Sequence, residues 1–457
     1  MSMSLRGLWY RGLDQYPGNS RRIWYLALAV IATITLYYES YTLSSVAPLV
    51  QAEFKLTLAN YVYALVLGNL LGAIAAILGS LGDRFGRGNL IVYGLLATAI
   101  VTLIISQVHA LLLFLMLYWV LGFVEGIILT VTPALVRDFS PRLGRAAAMG
   151  FWTVGPVGGS VLATFVASQT LATYNNVWQS QYVISGIVGL VIFLICLFSL
   201  RELSPGLRDQ IMTTLREKTL VEERAAEVDV KQAVQHPWRQ ILRPRVLISS
   251  FGISVFLLIY YAAVGFFVIY LATVFKFSVA QANGMVSIFW AINVVSAIVV
   301  GFISDALLVR KPFMVIGTIA LVIVTILFIG RIGQPTSAGL MTVLLSLIGI
   351  CLSISYVTWM AGYTETIEDI NPALVATGLS VWGSLLRIIV VLSTLALPLV
   401  VGKGQGWCTW WWVCIVGQIV FLPTILTATG EWNPAKARAA VRAHEQAEGL
   451  SVQPSAD

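Results

Sequence analysis

Three ionisable side chains lie deep inside long apolar stretches of the sequence: Glu39, Glu125 and Arg387. An ionisable group in hydrocarbon costs several kcal/mol unless it is paired or faces water, so its presence there indicates a function. Burial disfavours the charged form of a carboxyl group, which suits proton binding and release. A guanidinium grips a carboxylate or phosphate through two parallel hydrogen bonds. A buried Glu–Arg pair that only fixes helix packing is the alternative for Arg387.

Membrane-spanning helices must position these residues, because the composition fits lipid. Of 457 residues, 58% are hydrophobic and 11% are charged, whereas soluble domains carry about a quarter charged residues. Long apolar runs without period-two alternation favour helices over a closed barrel. A spanning helix needs about 20 mostly apolar residues, and the sequence offers these candidates: 24–50, 58–81, 89–107, 110–135, 146–168, 181–200, 247–273, 280–304, 313–330, 338–361, 374–400 and 407–428. The expected fold class is all-α, with twelve transmembrane helices.

One long polar interior segment divides these spans into six plus six. Residues 201–246 are the expected linker between an N-terminal half at 24–200 and a C-terminal half at 247–428, with tails at 1–23 and 429–457. Most of the 28 Lys and Arg residues fall in the tails, the linker and the loops on the same side. Because basic loops are retained in the cytoplasm, we expect a multi-pass cell-membrane protein with both termini cytoplasmic. The net charge of +7 follows from this asymmetry and does not indicate affinity for nucleic acid.

A motif of glycines and charges ends the second span, Gly79-Ser-Leu-Gly-Asp83-Arg84-Phe-Gly86-Arg87, and a degenerate copy ends the eighth, Gly301-Phe-Ile-Ser-Asp305 with Arg310. The first closely resembles the signature loop G-x-L-x-D-R-x-G-R-[K/R] of the major facilitator superfamily. The resemblance implies two pseudo-symmetric six-helix halves and transport by alternating access. In that family the loop latches the halves in the outward-open state, and a plain positive-inside loop is the alternative. The residues to which the resemblance assigns gating roles are Gly79, Asp83, Arg84, Gly86, Arg87, Asp305 and Arg310.

The first span carries a second resemblance. The segment from Tyr37 to Pro48, YYESYTLSSVAP, is similar to the pattern N-Y-x-D-R-x-x-L-S-V-A-A-P of the anion:cation symporters, with its acid kept as Glu39. Those proteins also tend to carry an acid after a glycine in span 4, as Glu125 is placed here. By this resemblance Glu39 and Glu125 form the proton-coupling pair. Ser40 stands where that family has an anion-binding arginine, and we expect Arg387 in span 11 to supply the missing charge.

Four further side chains are candidates for substrate contact: Tyr41, Tyr261, Asn293 and Trp359. In the resembled fold, spans 1, 4, 7 and 10 line the central cavity, which places Tyr261 and Trp359 on cavity-lining helices. Packing in the core or an aromatic belt is the alternative for the aromatic residues. For Asn293 the alternative is a hydrogen bond between helices.

One pattern favours a different transporter. Gly155-Pro156-Val-Gly158-Gly159 in span 5 resembles part of the G-P-x-x-G-G motif of proton-coupled drug exporters. Glycines in membrane helices also serve close packing. Trp119 stands where exporters commonly have an arginine, which argues against export.

We therefore expect a secondary transporter that imports a small organic anion together with protons, and the alternative is an antiporter that exports a drug or metabolite. The proton gradient is the expected energy source, with no cofactor. Four cysteines and three histidines lack metal-ligand spacing, so no metal is expected. Without a Ser/His/Asp constellation or a phosphate loop, an enzyme is not expected. The expected partners are an anionic small molecule, protons and the lipid bilayer, without nucleic acid, and the chain is expected to act as a monomer.

Overall fold

A computed structural model describes residues 10–76, 78, 85–139, 144–204, 206–207, 237–370, 374–402 and 406–439. Helices α1 to α6 are Asn19–Glu53, Leu58–Ala75, Arg87–Ile105, Leu111–Phe139, Gly144–Thr170 and Gln179–Ser199. Helices α7 to α14 are Pro237–Ile241, Pro244–Phe256, Leu258–Val274, Val279–Leu307, Lys311–Ile329, Ala338–Glu368, Val375–Val401 and Gly406–Thr424, followed by a short 3₁₀ turn at Ile425–Thr427. Strands β1, Gly12–Leu13, and β2, Glu202–Leu203, pair in parallel.

The predicted all-α membrane fold is confirmed. Within the described ranges, 11 helical segments are long and apolar enough to cross a membrane. The segment Pro244–Val274 counts as one of them, and it comprises α8 and α9 across predicted span 7. Helix α5 occupies predicted span 5. Each predicted stretch therefore coincides with a helix, and the chain is a multi-pass membrane protein.

The polar break between spans 5 and 6 forms a tight turn. Asn175 and Asn176 have φ angles of 53° and 58°, a left-handed conformation that asparagine tolerates better than most side chains. The backbone N–H of Asn176 donates to the carbonyl oxygen of Leu171 at 2.8 Å. The turn follows the end of α5 at Thr170, and α6 begins at Gln179, two residues before the predicted start of span 6 at 181.

The described residues fall into two compact units. The first unit takes its residues from the ranges 1–222, 262–290 and 394–402, and the second from 223–261, 291–393 and 403–457. In the first unit, α1 packs against α5, α6 and α4, and α3 packs against α6 and α4. In the second unit, α11 packs against α12 and α14, and α8 packs against α14. The predicted boundaries of the two six-helix halves stay a prediction.

Helices α2 and α4 meet through glycines on both sides of the contact. A Cβ added to Gly72 would lie 2.9 Å from the carbonyl oxygen of Gly122, and one added to Gly126 would overlap the carbonyl oxygen of Gly72. Gly68 faces Gly122 in the same way. Small residues four apart allow two membrane helices to approach closely. Because Gly126 directly follows Glu125, this contact fixes the position of that acid on α4.

We expect Gly126→Ala to destabilise the protein by about 1–3 kcal/mol, the usual cost of overpacking a tight contact. A suitable control is Gly265→Ala on α9, where an added Cβ meets no described atom within 4 Å. Thermal unfolding in detergent should give a lower midpoint for Gly126→Ala and an unchanged or slightly higher midpoint for Gly265→Ala. Equal midpoints for the two variants would contradict the close approach of α2 and α4.

Candidate functional site

Glu39 lies on α1 inside the first unit and has no exposed surface. Neither of its carboxyl oxygens has a hydrogen-bond partner among the described residues, and the carboxyl group packs against Gly189 of α6. The Thr98 hydroxyl of α3 lies beside this carboxyl group. That hydroxyl donates its hydrogen to the carbonyl oxygen of Leu95 at 3.2 Å, and its lone pairs can accept a hydrogen bond from a protonated carboxyl group. The surroundings therefore suit a neutral carboxyl group that donates a hydrogen bond.

Glu125 lies on α4 in the same unit and is 4% exposed. Its Oε1 atom has no hydrogen-bond partner in the described part of the chain, and the Ser40 hydroxyl lies beside its carboxyl group. Glu39 and Glu125 interact electrostatically with each other. Neither acid forms an ion pair with a described Lys, Arg or His. The structure therefore brings together the two acids that the sequence analysis paired, and their role in proton coupling stays a prediction.

Buried tyrosines surround this acid pair, which the sequence analysis missed. Tyr38, Tyr61 and Tyr182 are at most 2% exposed. The hydroxyls of Tyr38 and Tyr182 have no hydrogen-bond partner within the described ranges, and that of Tyr61 lies beside Ser44. Tyr118 and Tyr182 interact electrostatically with Glu125. Tyrosines within spans were a signal for such a cluster, but which of them face one another depends on how the helices are rotated. The acid pair thus lies among hydroxyl groups that retain capacity for hydrogen bonding.

Arg387 lies on α13 in the second unit, about midway between the ends of that helix at Val375 and Val401. Its side chain is exposed, and no described carboxylate forms an ion pair with it. It interacts electrostatically with Tyr261 of α9, which is partly exposed. A guanidinium at this depth must face water, because hydrocarbon would make it too costly. The alternative of a buried Glu–Arg pair finds no partner among the described residues.

Two of the other candidates make contacts that match the packing alternatives. Trp359 is 1% exposed, and its indole N–H donates to the Ser249 hydroxyl at 3.0 Å. The side-chain amide of Asn293 donates to the carbonyl oxygen of Gly349 at 3.0 Å. This bond joins α10 to α12 in the second unit. The hydrogen-bond donors of both side chains are therefore engaged by protein.

Tyr41 lies on α1 in the first unit, with its ring centroid 5.5 Å from that of Tyr37. It lines a small pocket in that unit together with hydroxyl and apolar side chains of α1, α5, α9 and α10. Ser44, Thr164 and Trp290 are among them. A role for Tyr41 in substrate binding stays a prediction.

The predicted gating motif is only partly within the described residues, because Gly79, Asp83 and Arg84 lie outside them. Gly86 precedes α3 with a φ of 95°, a conformation that favours glycine. A carboxylate oxygen of Glu202 in β2 accepts hydrogen bonds from the backbone N–H of Arg87 at 2.6 Å and from that of Gly88 at 3.3 Å. A negative charge at the first N–H groups of a helix is stabilising. The Glu202 carboxylate, which follows span 6 in the chain, therefore caps the N-terminus of α3 at the end of the motif.

Arg87 and Arg310 follow the aspartates of the two copies of the motif, by four and five residues respectively. Nη1 of Arg87 donates to both carboxylate oxygens of Asp138 at 2.8 and 2.9 Å. In the second unit, Nη2 of Arg310 lies 2.9 Å from Oε1 of Glu365, and Nη1 lies 2.6 Å from Oδ1 of Asp305. Positions 87 and 310 are 223 residues apart, and positions 138 and 365 are 227 apart. This repeated pairing is the structural counterpart of the sequence repeat.

The acids of these pairs, Asp138 and Glu365, were missed in the sequence. Each lies at the end of a long helix, α4 or α12, where an acid reads as an ordinary loop charge. Burial of Arg310 acts to lower its pKa, but the hydrogen bonds and charges of Glu365 and Asp305 outweigh it, so its pKa is raised. Only a comparison of the two halves of the sequence could have indicated these pairs, because Asp138 follows Arg87 and Glu365 follows Arg310 by similar distances along the chain.

We expect Asp138→Asn to destabilise the protein far more than Asp305→Asn. The Asp138 side chain is fully buried, whereas that of Asp305 is 67% exposed. Breaking a buried pair costs about 3–5 kcal/mol, whereas an exposed pair contributes at most about 1 kcal/mol. Thermal unfolding of the purified variants measures the difference. Midpoints that fall equally would show that burial of the Arg87 pair is not what stabilises it.

Arg11, which lies in the predicted N-terminal tail at 1–23, is 1% exposed. Its Nε donates to Oδ1 of Asn89 at 3.0 Å, and its Nη1 donates to the carbonyl oxygens of Leu197 at 2.7 Å and Leu200 at 3.2 Å. Burial lowers the pKa of this guanidinium. A cation at the last carbonyls of a helix is stabilising. The segment before α1 therefore caps the end of α6.

The long apolar helices define a polytopic membrane protein. One of its units holds a buried acid pair, and the other holds a guanidinium midway along a helix with no ion-pair partner in the described part of the chain. The model of the Major Facilitator Superfamily matches residues 29–394. The chain belongs to this superfamily, and it is a membrane transporter.

Solved structures of the same fold cover nearly the whole chain. A bacterial homologue of the human lysosomal transporter Spinster, in an inward-facing and occupied conformation, aligns with a TM-score of 0.62 and 16% identity over 94% of this chain and 98% of that chain. The xylose transporter XylE from E. coli, in an inward-open conformation, aligns with a TM-score of 0.63 and 15% identity over 92% and 99%. At these identities the likeness shows the fold alone.

Curated relatives are similar over a shorter region. Quinolone resistance protein NorB of Staphylococcus aureus (strain JH9) is 24% identical over 184 residues. This region is 40% of the present chain and 39% of NorB, so the chain matches less than half the length of this relative.

Proposed function

We propose that the chain is a proton-coupled symporter that takes up a small organic anion by alternating access. The observation that supports this most directly is that the membrane spans contain both acidic side chains and a basic one. The acids Glu39 and Glu125 are buried in the first unit, and the exposed Arg387 lies midway along α13 in the second unit. None of the three forms an ion pair with a described residue.

Proton binding is the role that suits the acid pair. A carboxylate without a cation partner is costly in a dry interior, and two interacting carboxylates are costlier still. Protonation removes that cost, and at Glu39 the Thr98 hydroxyl is placed to accept the resulting hydrogen bond. Loss of the proton restores the charge and favours a conformation in which water reaches the acids.

Anion binding is the role that suits Arg387. Its guanidinium has hydrogen-bond donors in a fixed fork and no described acid to occupy them. A bound anion neutralises this charge, as protons neutralise the acids. Charge is thus removed from the spans only when proton and anion are both bound. A carrier that seals its site from water only in this neutral state couples the two fluxes as a symporter.

Export by proton antiport is the second candidate, and the similarity to a quinolone resistance protein favours it. The glycines of the exporter-like pattern in α5 pack tightly on α1. A Cβ on Gly155 would lie 2.5 Å from Cγ2 of Thr33, and one on Gly159 would lie 2.8 Å from the backbone carbonyl carbon of Tyr37. Close packing therefore accounts for these two glycines without an export function.

Proteoliposomes with a more alkaline interior distinguish the two candidates. We would offer labelled carboxylates of low passive permeability, such as gluconate, malate and phthalate, with protein-free liposomes as the control. Symport predicts accumulation of at least one acid above equilibrium, and a protonophore should abolish it. Absence of accumulation for every acid, together with proton-driven expulsion of ethidium, would overturn the proposal in favour of export.

A further inference from the structure

We propose that the transported anion is aromatic, and that its ring binds against Tyr261, Tyr356 and Trp382 while Arg387 holds its acidic group. This inference rests on the proposed function, in which Arg387 binds the anion. All four residues belong to the second unit. They lie on three helices, α9, α12 and α13.

The aromatic rings of this unit form one continuous cluster. The ring centroids of Tyr356 and Trp382 are 6.3 Å apart, and those of Trp359 and Trp382 are 5.4 Å apart. Trp359 also stacks on Tyr363, with centroids 4.7 Å apart and planes inclined by 22°. These separations lie in the range in which aromatic pairs attract one another. The cluster therefore offers a preorganised surface of ring faces.

At one end of the cluster, the polar atoms are engaged by protein. The indole N–H of Trp359 donates to the Ser249 hydroxyl. The Tyr363 hydroxyl lies 2.8 Å from that of Ser250 and donates to the carbonyl oxygen of Gly378 at 2.8 Å. Both side chains are at most 1% exposed. This end is a rigid support rather than a binding surface.

At the other end of the cluster, formed by Tyr261, Tyr356 and Trp382, the hydrogen-bond donors have no partner among the described residues. The indole N–H of Trp382 is buried and has no hydrogen-bond partner among the described residues. Tyr261 and Tyr356 are partly exposed, and neither hydroxyl bonds to a described residue. Tyr261 interacts electrostatically with both Arg387 and Tyr356. The free donors and the exposed guanidinium are therefore at the same end of the cluster.

This combination fits one chemical class. A guanidinium with additional N–H and O–H donors suits an acidic group, which only accepts hydrogen bonds. Ring faces suit an aromatic body, because aromatic pairs gain about 0.5–1.5 kcal/mol beyond the area they bury. A cationic drug would meet the unpaired charge of Arg387, with no described acid paired to it. An aromatic carboxylate satisfies both parts of the surface.

Isothermal titration of the purified full-length chain with benzoate and cyclohexanecarboxylate tests the inference. The two acids share their charge and approximate size, but only benzoate has an aromatic face. We expect benzoate to bind about tenfold more tightly, which corresponds to the upper end of the aromatic contribution. Tyr356→Leu should reduce this preference nearly to unity, whereas Tyr356→Phe should retain it. Tyr63→Leu, at an exposed tyrosine of the first unit, should leave it unchanged.

A separate variant keeps the test informative if Tyr356→Leu fails to fold. Trp382→Phe retains a ring but loses the free N–H, so benzoate should bind several-fold more weakly. Equal affinity for the two acids, with both lost in Arg387→Gln, would overturn the aromatic inference and leave the anion proposal standing. No binding of either acid to the wild-type chain would overturn the aromatic inference, and accumulation of gluconate or malate in proteoliposomes would then decide the anion proposal. A benzoate preference that Tyr356→Leu does not alter would also overturn the assigned surface.

Discussion

The double substitution Glu39→Gln with Glu125→Gln is expected to abolish proton-driven accumulation of the anion while exchange of the anion across the membrane continues. Glutamine preserves the shape of the side chain but binds no proton, so the carrier reaches its neutral state without one. Each proton that accompanies a monovalent anion supports about tenfold accumulation per pH unit, since one unit is worth about 1.4 kcal/mol. We expect that ratio to fall to about one. Either single substitution should lower the ratio only in part, because the other acid still binds a proton.

Proteoliposome uptake and counterflow, measured on the same preparation, separate accumulation from exchange. Glu368→Gln is a matched control, because it changes an exposed glutamate at the end of α12. It should retain accumulation. Accumulation that survives neutralisation of both Glu39 and Glu125 would show that proton coupling does not depend on these acids.

Arg387→Gln should weaken binding of the anion by about 1.5–3 kcal/mol, the range for a hydrogen bond to a charged group, which is about 10- to 150-fold in affinity. Arg387→Lys should lose less, because it keeps the charge but not the fork of donors. Half-saturation concentrations for counterflow measure both effects. Arg331→Gln, just beyond the end of α11, is the control that should remain unchanged. Unchanged affinity of Arg387→Gln for every transported acid would refute the anion-binding role.

The membrane fold could be predicted from the sequence because lipid offers the backbone no hydrogen-bond partners, which makes long apolar runs helical. The loop between spans 5 and 6 was also readable, since the polar residues between 168 and 181 interrupt an otherwise apolar run. Glu39, Glu125 and Arg387 stood out as candidates because a charged side chain within a membrane span is rare, whatever its neighbours are.

The partners of these charges could not be predicted, because they depend on helix rotation and on contacts far apart in the sequence. Asp138 reads as a loop charge until α4 and α3 are packed and Arg87 reaches it. Tyr261 was one of several aromatic candidates, and only the structure places it beside Arg387. Trp359 had equal standing in the sequence, yet its N–H is engaged by Ser249. Hydropathy defines the spans but not the faces that meet.

The pairing of β1 with β2 has a consequence for the order in which the nascent chain can fold. Arg11 bonds to carbonyl groups near residue 200, and Gly12 pairs with Glu202. These partners are synthesised last among the residues of the first six helices. Strand β1 therefore cannot pair until residue 203 has left the ribosome, although the helices that follow β1 in the chain are synthesised earlier. The earliest described part of the chain is among the last of this bundle to reach its final contacts.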